Sequence, residues 1–421
     1  AAEEIRSASA SLSSAKAQRW PSLSTQSSAT FIGNPPDAIS LPAGALGAIP
    51  DGSPTGMLLP PQEVVLFESV GHTQYSFALK GAMPLFTWGK LSLGITLADT
   101  ALDLAKLQYR KAVQETTLRI RGLYVSACYL SQALEALNTQ QRIGERLMDL
   151  SEQSSRAGFL TASDLLGTQI ALKEARLARA MLNEKLERIL SDIARYTGIP
   201  ELSQDQLALS PQSLVLVPWN RDDALARSAI GNLDVAMAEL ARFLRSGQSS
   251  LAKKQSYGLP DFGLQLELSY AGKLFPFIEE GWKDKDDWQF TLSLGAGGSM
   301  WPNKALYADV AKAEAEEAKA AALANEARRA VSAFIRESYL SLDLHKARIE
   351  YAALKQSSWA SELAQSRALL DAGSGSESDY LKAMMQALGG LAEAYGSLAE
   401  YHSVLLGLEG ALGDAAWVQS Q

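Results

Sequence analysis

Residues 156–166 read RAGFLTASDLL, a helix stop followed at once by a helix start. Gly158 is the residue type that accepts the left-handed conformation after a helix C-terminus. Thr161 can cap a new helix, and Asp164 follows three residues later, as in a capping box. This stretch therefore predicts a tight reversal between two helices.

The same pattern, a helix end followed directly by a helix start, occurs again at residues 371–381, which read DAGSGSESDYL. Its glycine, hydroxyl residue and aspartate are Gly373, Ser376 and Asp379, and each follows its counterpart in the first stretch by 215 residues. A second glycine, Gly375, also lies in this turn. Two matching reversals, each between long helical runs, predict an internal duplication.

The duplication divides the chain into two predicted repeats, residues 1–198 and 222–413, with a linker at 199–221 and a tail at 414–421. The first repeat has 20 residues before Pro21, whereas the second has about 38 before Pro260. We therefore expect the chain to begin inside a longer protein.

Each repeat contains two predicted strands and a long helical hairpin. The strands are expected at about 22–33, 72–84, 261–271 and 287–298, and the hairpins at about 88–198 and 303–413. The stretch from Asn34 to Pro61 has many breakers and no periodicity, which predicts a surface loop. A single helix is expected over 222–258, and a charged loop over 279–287.

Composition excludes several classes of protein. The 421 residues are 47% hydrophobic and 20% charged, which is not the composition of a disordered chain. The net charge of −8 gives no support for binding nucleic acid. Cys128 is the single cysteine, so no intrachain disulfide and no cysteine-based zinc site is expected. The sequence has no apolar run of the length of a membrane helix, so a membrane crossing would have to use strands.

The predicted strands have the length and the alternation of strands that cross a bilayer. Aromatic residues near their ends suit a membrane–water interface, namely Tyr75, Tyr270, Trp288 and Phe290. Four strands cannot close a barrel, and an open sheet edge is not tolerated in lipid. Two copies of the chain would give eight strands and a plugged interior, and three copies would give twelve strands and a pore. The alternative is a four-stranded sheet in water with one buried face.

The predicted helices are too long to fold into a compact domain. In the first hairpin a coiled-coil seam is indicated by apolar residues that step by four and three, namely Leu123, Ala127, Leu130, Leu134 and Leu137. Hairpins from several chains, packed side by side, would make the wall of a tube. The alternative is a coiled-coil spacer with no lumen.

Several motifs in this order resemble the outer-membrane efflux channel family, the TolC-like proteins. They are the two Gly-x5-Asp turns, the strand starts WPSL at 20–23 and LPDF at 259–262, the strand exit PLFTWGK at 84–90, and YTG at 196–198. The match extends over nearly the whole chain. The resemblance implies a mainly α protein with four membrane strands per chain, in which a homotrimer completes a 12-stranded outer-membrane barrel above a periplasmic α-barrel. It also implies a belt around the waist, formed by residues 199–221 and the tail.

The same resemblance implies an exit duct for a tripartite efflux pump or a type I secretion system. Its partners would be a periplasmic adaptor protein, an inner-membrane transporter and outer-membrane lipid. Adaptor contact is expected at the two turns, residues 153–164 and 368–379, which include Gly158, Thr161, Gly373, Gly375 and Ser376.

Three-fold symmetry would turn each acidic side chain at the turns into a ring. Asp379, Glu377 and Asp164 are therefore candidates for a pore constriction that favours cations. Lys382, one turn after Asp379, could pair with Asp379 or neutralise the ring. The alternative is that Asp164 and Asp379 serve only as helix caps, and both roles can coexist.

No motif for catalysis or for a cofactor or metal is found in the sequence. Its three histidines are scattered, without the spacing of a metal site, and it has no nucleophile elbow, P-loop or dinucleotide fingerprint. The expectation is therefore a protein that is not an enzyme. A second hypothesis is a soluble periplasmic coiled-coil adaptor or scaffold, which would leave membranes at high salt without detergent.

Overall fold

The computed structural model of the protein describes residues 1–51, 56–67, 71–199, 202–207, 219–280, 287–298 and 304–413. The tail at 414–421, most of the linker at 199–221 and part of the charged loop at 279–287 lie outside these residues.

Seven α-helices and eight strands are present in the described part of the chain. The helices are α1 Ala2–Ala17, α2 Lys90–Arg156, α3 Ala162–Thr197, α4 Arg221–Gly231, α5 Leu233–Ser256, α6 Lys304–Asp371 and α7 Glu377–Leu412. The strands are β1 Ser22–Phe31, β2 Ile39–Leu41, β3 Ala48–Ile49, β4 Met57–Leu58, β5 Val64–Phe67, β6 Thr73–Phe86, β7 Asp261–Gly272 and β8 Trp288–Gly297. A short 3₁₀ turn covers Gln204–Gln206.

The chain forms two compact units. One comprises residues 1–5, 103–245 and 316–421 and is called the helical unit, and the other comprises residues 6–102 and 246–315 and is called the strand unit.

The strand unit contains an antiparallel sheet in the order β1-β6-β7-β8. The register places apolar side chains of neighbouring strands in the same rows, for example Leu79, Leu268 and Phe290. The opposite face is polar: Ser28 and Ser76 share a hydrogen bond of 2.7 Å, and Lys80 lies 3.4 Å from Glu267. The sheet therefore has one apolar and one polar face, and β1 and β8 are its open edges.

The prediction of an irregular surface loop between Asn34 and Pro61 was wrong in part, because this stretch contains short strands. β3 pairs with β4, and β2 pairs with β5, which lies just beyond the predicted loop. Strands of two or three residues are too short to produce a readable alternation, so the sequence pattern could not reveal them.

The prediction of a single helix over 222–258 was also wrong, because Asn232 divides this stretch into α4 and α5. The Asn232 side chain accepts a hydrogen bond from the Val235 N–H at 3.0 Å and so caps α5. Its amide donates to the Ala411 carbonyl oxygen at 2.8 Å. Asn232 thus begins a new helix and ties it to the end of α7.

The long helices of the helical unit pack in the order α3-α2-α7-α6. Arg176 of α3 pairs with Glu145 of α2 at 2.9 Å, and Arg121 of α2 pairs with Glu409 of α7 at 2.9 Å. Three apolar clusters fill the contacts. They consist of Ala127, Leu130, Leu134, Leu186, Leu190, Ile193 and Leu207; of Ala224, Ile335, Leu342, Tyr401, Leu405, Leu408 and Leu412; and of Leu147, Ala175, Leu381 and Met385. This order leaves α3 and α6 at the two edges of the layer.

A buried histidine between α2 and α7 gives a first prediction. Nε2 of His402 lies 3.1 Å from the Tyr129 hydroxyl, and burial lowers the pKa of His402. Because the folded pKa lies below the unfolded value of about 6.5, neutral His402 stabilises the fold above that pH, and this contribution is lost as the pH falls further. The loss is at most about 1.4 kcal/mol per pH unit.

His402→Gln should therefore show a smaller fall in melting temperature between pH 7.5 and 5.5 than the parent protein, measured by circular dichroism. Glu409, whose pKa burial raises, changes stability in the opposite direction, but parent and variant share it. An equal fall in both proteins would contradict the role of His402.

Candidate functional site

The first hairpin turn joins α2 to α3 through a left-handed glycine. Gly158 has φ +80°, and its N–H donates to the Ser155 carbonyl oxygen at 3.0 Å. The Phe159 N–H donates to the Ser154 carbonyl oxygen at 2.9 Å, which completes a Schellman motif. Two residues later Thr161 caps α3, since its hydroxyl accepts from the Asp164 N–H at 3.2 Å.

The second turn, between α6 and α7, repeats these bonds. Gly373 has φ +70°, and the Ser374 N–H donates to the Leu369 carbonyl oxygen at 3.0 Å. Ser376 caps α7 by accepting from the Asp379 N–H at 3.1 Å. Gly375 serves close packing, since a Cβ there would lie 2.9 Å from Cβ of Leu369.

The acidic groups at the turns have different partners. Asp164 and Asp379 each accept a hydrogen bond from the capping hydroxyl, at 2.6 Å from Thr161 and 2.7 Å from Ser376. Glu377 instead pairs with Nε of Arg146 on α2 at 3.2 Å.

Sequence reasoning missed Arg146, because 231 residues separate it from Glu377. Lys382 is exposed and lies in a groove with Asp164, Gln140 and Gln386. Within the described residues Lys382 makes no ion pair with Asp379.

The strand exit of the first repeat is fastened to the strand start of the second within the strand unit. Trp88, with φ +54°, donates from Nε1 to the Pro260 carbonyl oxygen at 2.8 Å. Nζ of Lys90 lies 2.9 Å from Oδ1 of Asp261. Nζ of Lys254 donates to the Trp88 carbonyl oxygen at 3.0 Å. These bonds join the residues of the TWGK and LPDF motifs to each other.

The apolar face of the sheet carries two bands of aromatic side chains. The upper band consists of Tyr75, Phe77, Tyr270, Phe275, Phe277 and Trp288, and the lower band of Phe86, Trp88 and Phe262. Between them lie aliphatic side chains of which Leu292 and Leu294 are more than 60% exposed.

The nine residue-to-residue steps from Phe77 to Phe86 extend roughly 30 Å along the strand, or about 23 Å in height at a tilt of about 40°, close to the height of the apolar band of membrane strands. The face therefore has the dimensions of a surface in contact with lipid.

Three of the predicted interface aromatics remain at least partly accessible on this face, but Tyr270 does not. Phe290 is 65% exposed, while Tyr75 and Trp288 are partly buried by neighbouring rings. Tyr270 is 0% exposed, and its hydroxyl donates to the Leu274 carbonyl oxygen at 2.6 Å. The assignment of Tyr270 to lipid contact is thus corrected: the loop after β7 covers it.

No helix in the described part of the chain is both long and apolar enough to cross a membrane. Within the same residues, no three His, Cys, Asp or Glu side chains are grouped so that they could hold a metal ion.

Residues 1–199 match the model of the family described as outer membrane efflux protein. Over 166 residues the chain is 31% identical to Protein CyaE of Bordetella pertussis, an alignment that covers 38% of this chain and 34% of that protein. The chain thus spans about a third of the length of the curated relative it matches.

Solved structures match over nearly the whole chain. The outer membrane protein VceC of Vibrio cholerae is 16% identical with a TM-score of 0.71, over 98% of this chain and 91% of that one. The CmeC outer membrane channel of Campylobacter jejuni is 12% identical with a TM-score of 0.72, over 97% and 81%. The MtrE outer membrane channel of Neisseria gonorrhoeae is 13% identical with a TM-score of 0.70, over 97% and 86%.

At these identities the likeness concerns the fold, and it confirms the predicted class of long helical hairpins combined with antiparallel strands. Residues 1–199 match the outer membrane efflux protein family, and the chain shares the fold of outer membrane channels over nearly its whole length, in agreement with the predicted TolC-like family and outer-membrane location.

Proposed function

We propose that the protein is a passive exit duct in the outer membrane, formed by three copies of the chain and opened at its hairpin turns. It would serve a tripartite efflux pump or a type I secretion system, with a periplasmic adaptor and an inner-membrane transporter as partners, and would carry out no chemical reaction. The observation that carries the proposal is the apolar sheet face between two aromatic bands, in a sheet that has two open edges.

The open edges support assembly from several copies. In hydrocarbon an unpaired strand edge costs several kcal/mol for each unsatisfied backbone group. Pairing β1 of one copy with β8 of the next would satisfy both edges. Three copies would give a ring of twelve strands, wide enough to leave a pore.

The helical unit supports the same arrangement, because both edge helices have an exposed apolar stripe. On α3 the stripe is Leu166, Ile170, Leu177 and Met181, with exposures of 51% to 63%. On α6 it is Leu340, Leu344, Tyr351 and Leu354, with exposures of 53% to 71%. The steps of three, four and seven residues are those of a helix–helix seam.

The two stripes would meet between neighbouring copies. Leu177 lies 19 residues after the glycine of the first turn, Gly158, and Leu354 lies 19 residues before that of the second, Gly373. If the turns are level, these leucines have the same height. The stripes thus provide the contact that would close helices from three copies into a tube.

The repeats at 1–198 and 222–413, with a linker and a tail between and after them, remain our proposal for the organisation of the chain. The alternative of a soluble adaptor or scaffold is less favoured, because it leaves the exposed leucines of β8 in water.

The acidic rings give a second prediction. Asp379→Asn keeps the backbone N–H bond to Ser376 but removes three charges from the trimer, so the preference for cations over anions should fall by about twofold. The measurement is the reversal potential of single channels in planar bilayers under a KCl gradient.

Ser376→Ala is the matched control, because it removes the cap hydroxyl and keeps the charge. We expect it to leave the reversal potential unchanged. A reversal potential that does not move in Asp379→Asn would leave Asp379 with the role of a cap.

A further inference from the structure

The loop after β7 folds back onto the apolar face of the sheet. Residues 274–278 read LFPFI and carry no charged side chain. The Tyr270 hydroxyl holds the start of this segment through its 2.6 Å hydrogen bond to the Leu274 carbonyl oxygen. The segment is therefore fixed to the sheet.

Ring contacts place the segment within the upper aromatic band. Phe275 packs edge-on against Tyr75 with centroids 5.0 Å apart, and Phe277 packs against Phe77 at 5.8 Å. Phe277 also lies 6.3 Å from Trp288. These partners belong to β6 and to the edge strand β8, so the segment lies across the apolar face from β6 to β8.

The outer side of the segment remains apolar and accessible. Phe277 is 60% exposed and Ile278 is 76% exposed, and the exposed carboxylates of Glu279 and Glu280 follow directly. A second copy that pairs with the edge of β8 would lie beside the sheet and would not cover its apolar face. A bilayer would, and aromatic side chains beside charged ones suit the boundary between acyl chains and headgroups.

We propose that residues 274–278 are a lipid anchor, inserted at the headgroup–acyl boundary at the end of the sheet away from α2. The anchor rests on the proposed function, since the sheet must lie in the membrane for the segment to reach lipid. It adds apolar surface over this end of the sheet and fixes the depth of the sheet in the bilayer.

The test is the accessibility of nitroxide spin labels in protein reconstituted into phosphatidylcholine vesicles. Cys128 is replaced by Ala, and single cysteines are labelled at Ile278, at Leu292 in the middle of the sheet, and at Ser374 in the second turn. Frequent collision of the nitroxide with oxygen indicates that the label is in lipid, and frequent collision with a water-soluble nickel chelate indicates that it is in water. We expect the oxygen-to-nickel ratio at position 278 to be lower than that at position 292 and to exceed that at position 374 several-fold.

The reference positions separate the two proposals. A lipid-like ratio at position 292 with a water-like ratio at position 278 would overturn the anchor and leave the membrane sheet intact. A water-like ratio at both positions would overturn the membrane sheet itself. Adding Phe277→Ser to the protein labelled at position 278 should shift its ratio towards water, because the ring that holds the segment on Phe77 is lost, and an unchanged ratio would contradict the anchoring contact.

Discussion

Gly390→Ala is expected to destabilise the helical unit by about 3 kcal/mol, because there is no room for a methyl group at this position. Gly390 is buried in α7 beneath the Trp359 ring of α6, and an added Cβ would lie 1.5 Å from Cζ3 of that ring. The ring is also held by Lys355, whose Nζ lies 4.6 Å from the ring centroid and 3.0 Å from Glu393. The melting temperature measured by circular dichroism should fall clearly.

The same substitution at Gly396 is the matched control. It lies on the same helix, and a Cβ there would have no atom within 4 Å. Alanine at this position should therefore raise the free energy of unfolding, by about 1 kcal/mol at most, because its helix propensity is higher than that of glycine. Trp359→Leu should reduce the cost of Gly390→Ala, because the clashing ring is gone. Equal effects at Gly390 and Gly396 would contradict the packing described for α6 and α7.

Leu354→Glu is expected to disrupt the proposed trimer while leaving the protomer folded. The Leu354 side chain is 71% exposed in the protomer, so the charge adds no strain there, but each copy of the interface would bury an unpaired carboxylate at a cost of about 3 kcal/mol. The measurement is the ratio of trimer to monomer in detergent, obtained by light scattering after size exclusion.

Leu177→Lys tests whether the predicted partner is correct. Combined with Leu354→Glu, it should restore part of the trimer, because the two charges would face each other across the interface. Ala353→Glu, at the exposed neighbouring position of α6, should disturb the trimer much less. No rescue by the lysine would rule out contact between Leu177 and Leu354.

The features that the sequence revealed are those set by local chemistry. A glycine that must take positive φ, followed by a hydroxyl residue and an aspartate, predicted both turns, since Schellman bonds and caps involve only neighbouring residues. Alternation predicted a strand at about 261–271, and β7 spans Asp261–Gly272, because each residue of a strand faces one side of the sheet.

The features that the sequence did not reveal depend on contacts between distant residues. The sequence around Arg146 does not indicate that this residue will pair with Glu377, and the sequence around Gly390 does not indicate that the Trp359 ring will pack against it. Tyr270 alternates like a lipid-facing residue, and only the fold of residues 274–278 decides that it is buried. Asn232 in a helical pattern is only a weak helix break, and the sequence gives no sign that its amide will bond to the distant Ala411 carbonyl oxygen while its side-chain oxygen caps α5.

The central claim is that three copies share one barrel, because a four-stranded sheet alone would leave the backbone groups of its two edges unpaired in lipid. The most direct test is the mass of the protein extracted in detergent, measured by native mass spectrometry. The account predicts a particle of three chains of 45.2 kDa that requires detergent to stay in solution. A single chain of 45.2 kDa, monodisperse in buffer without detergent, would contradict it.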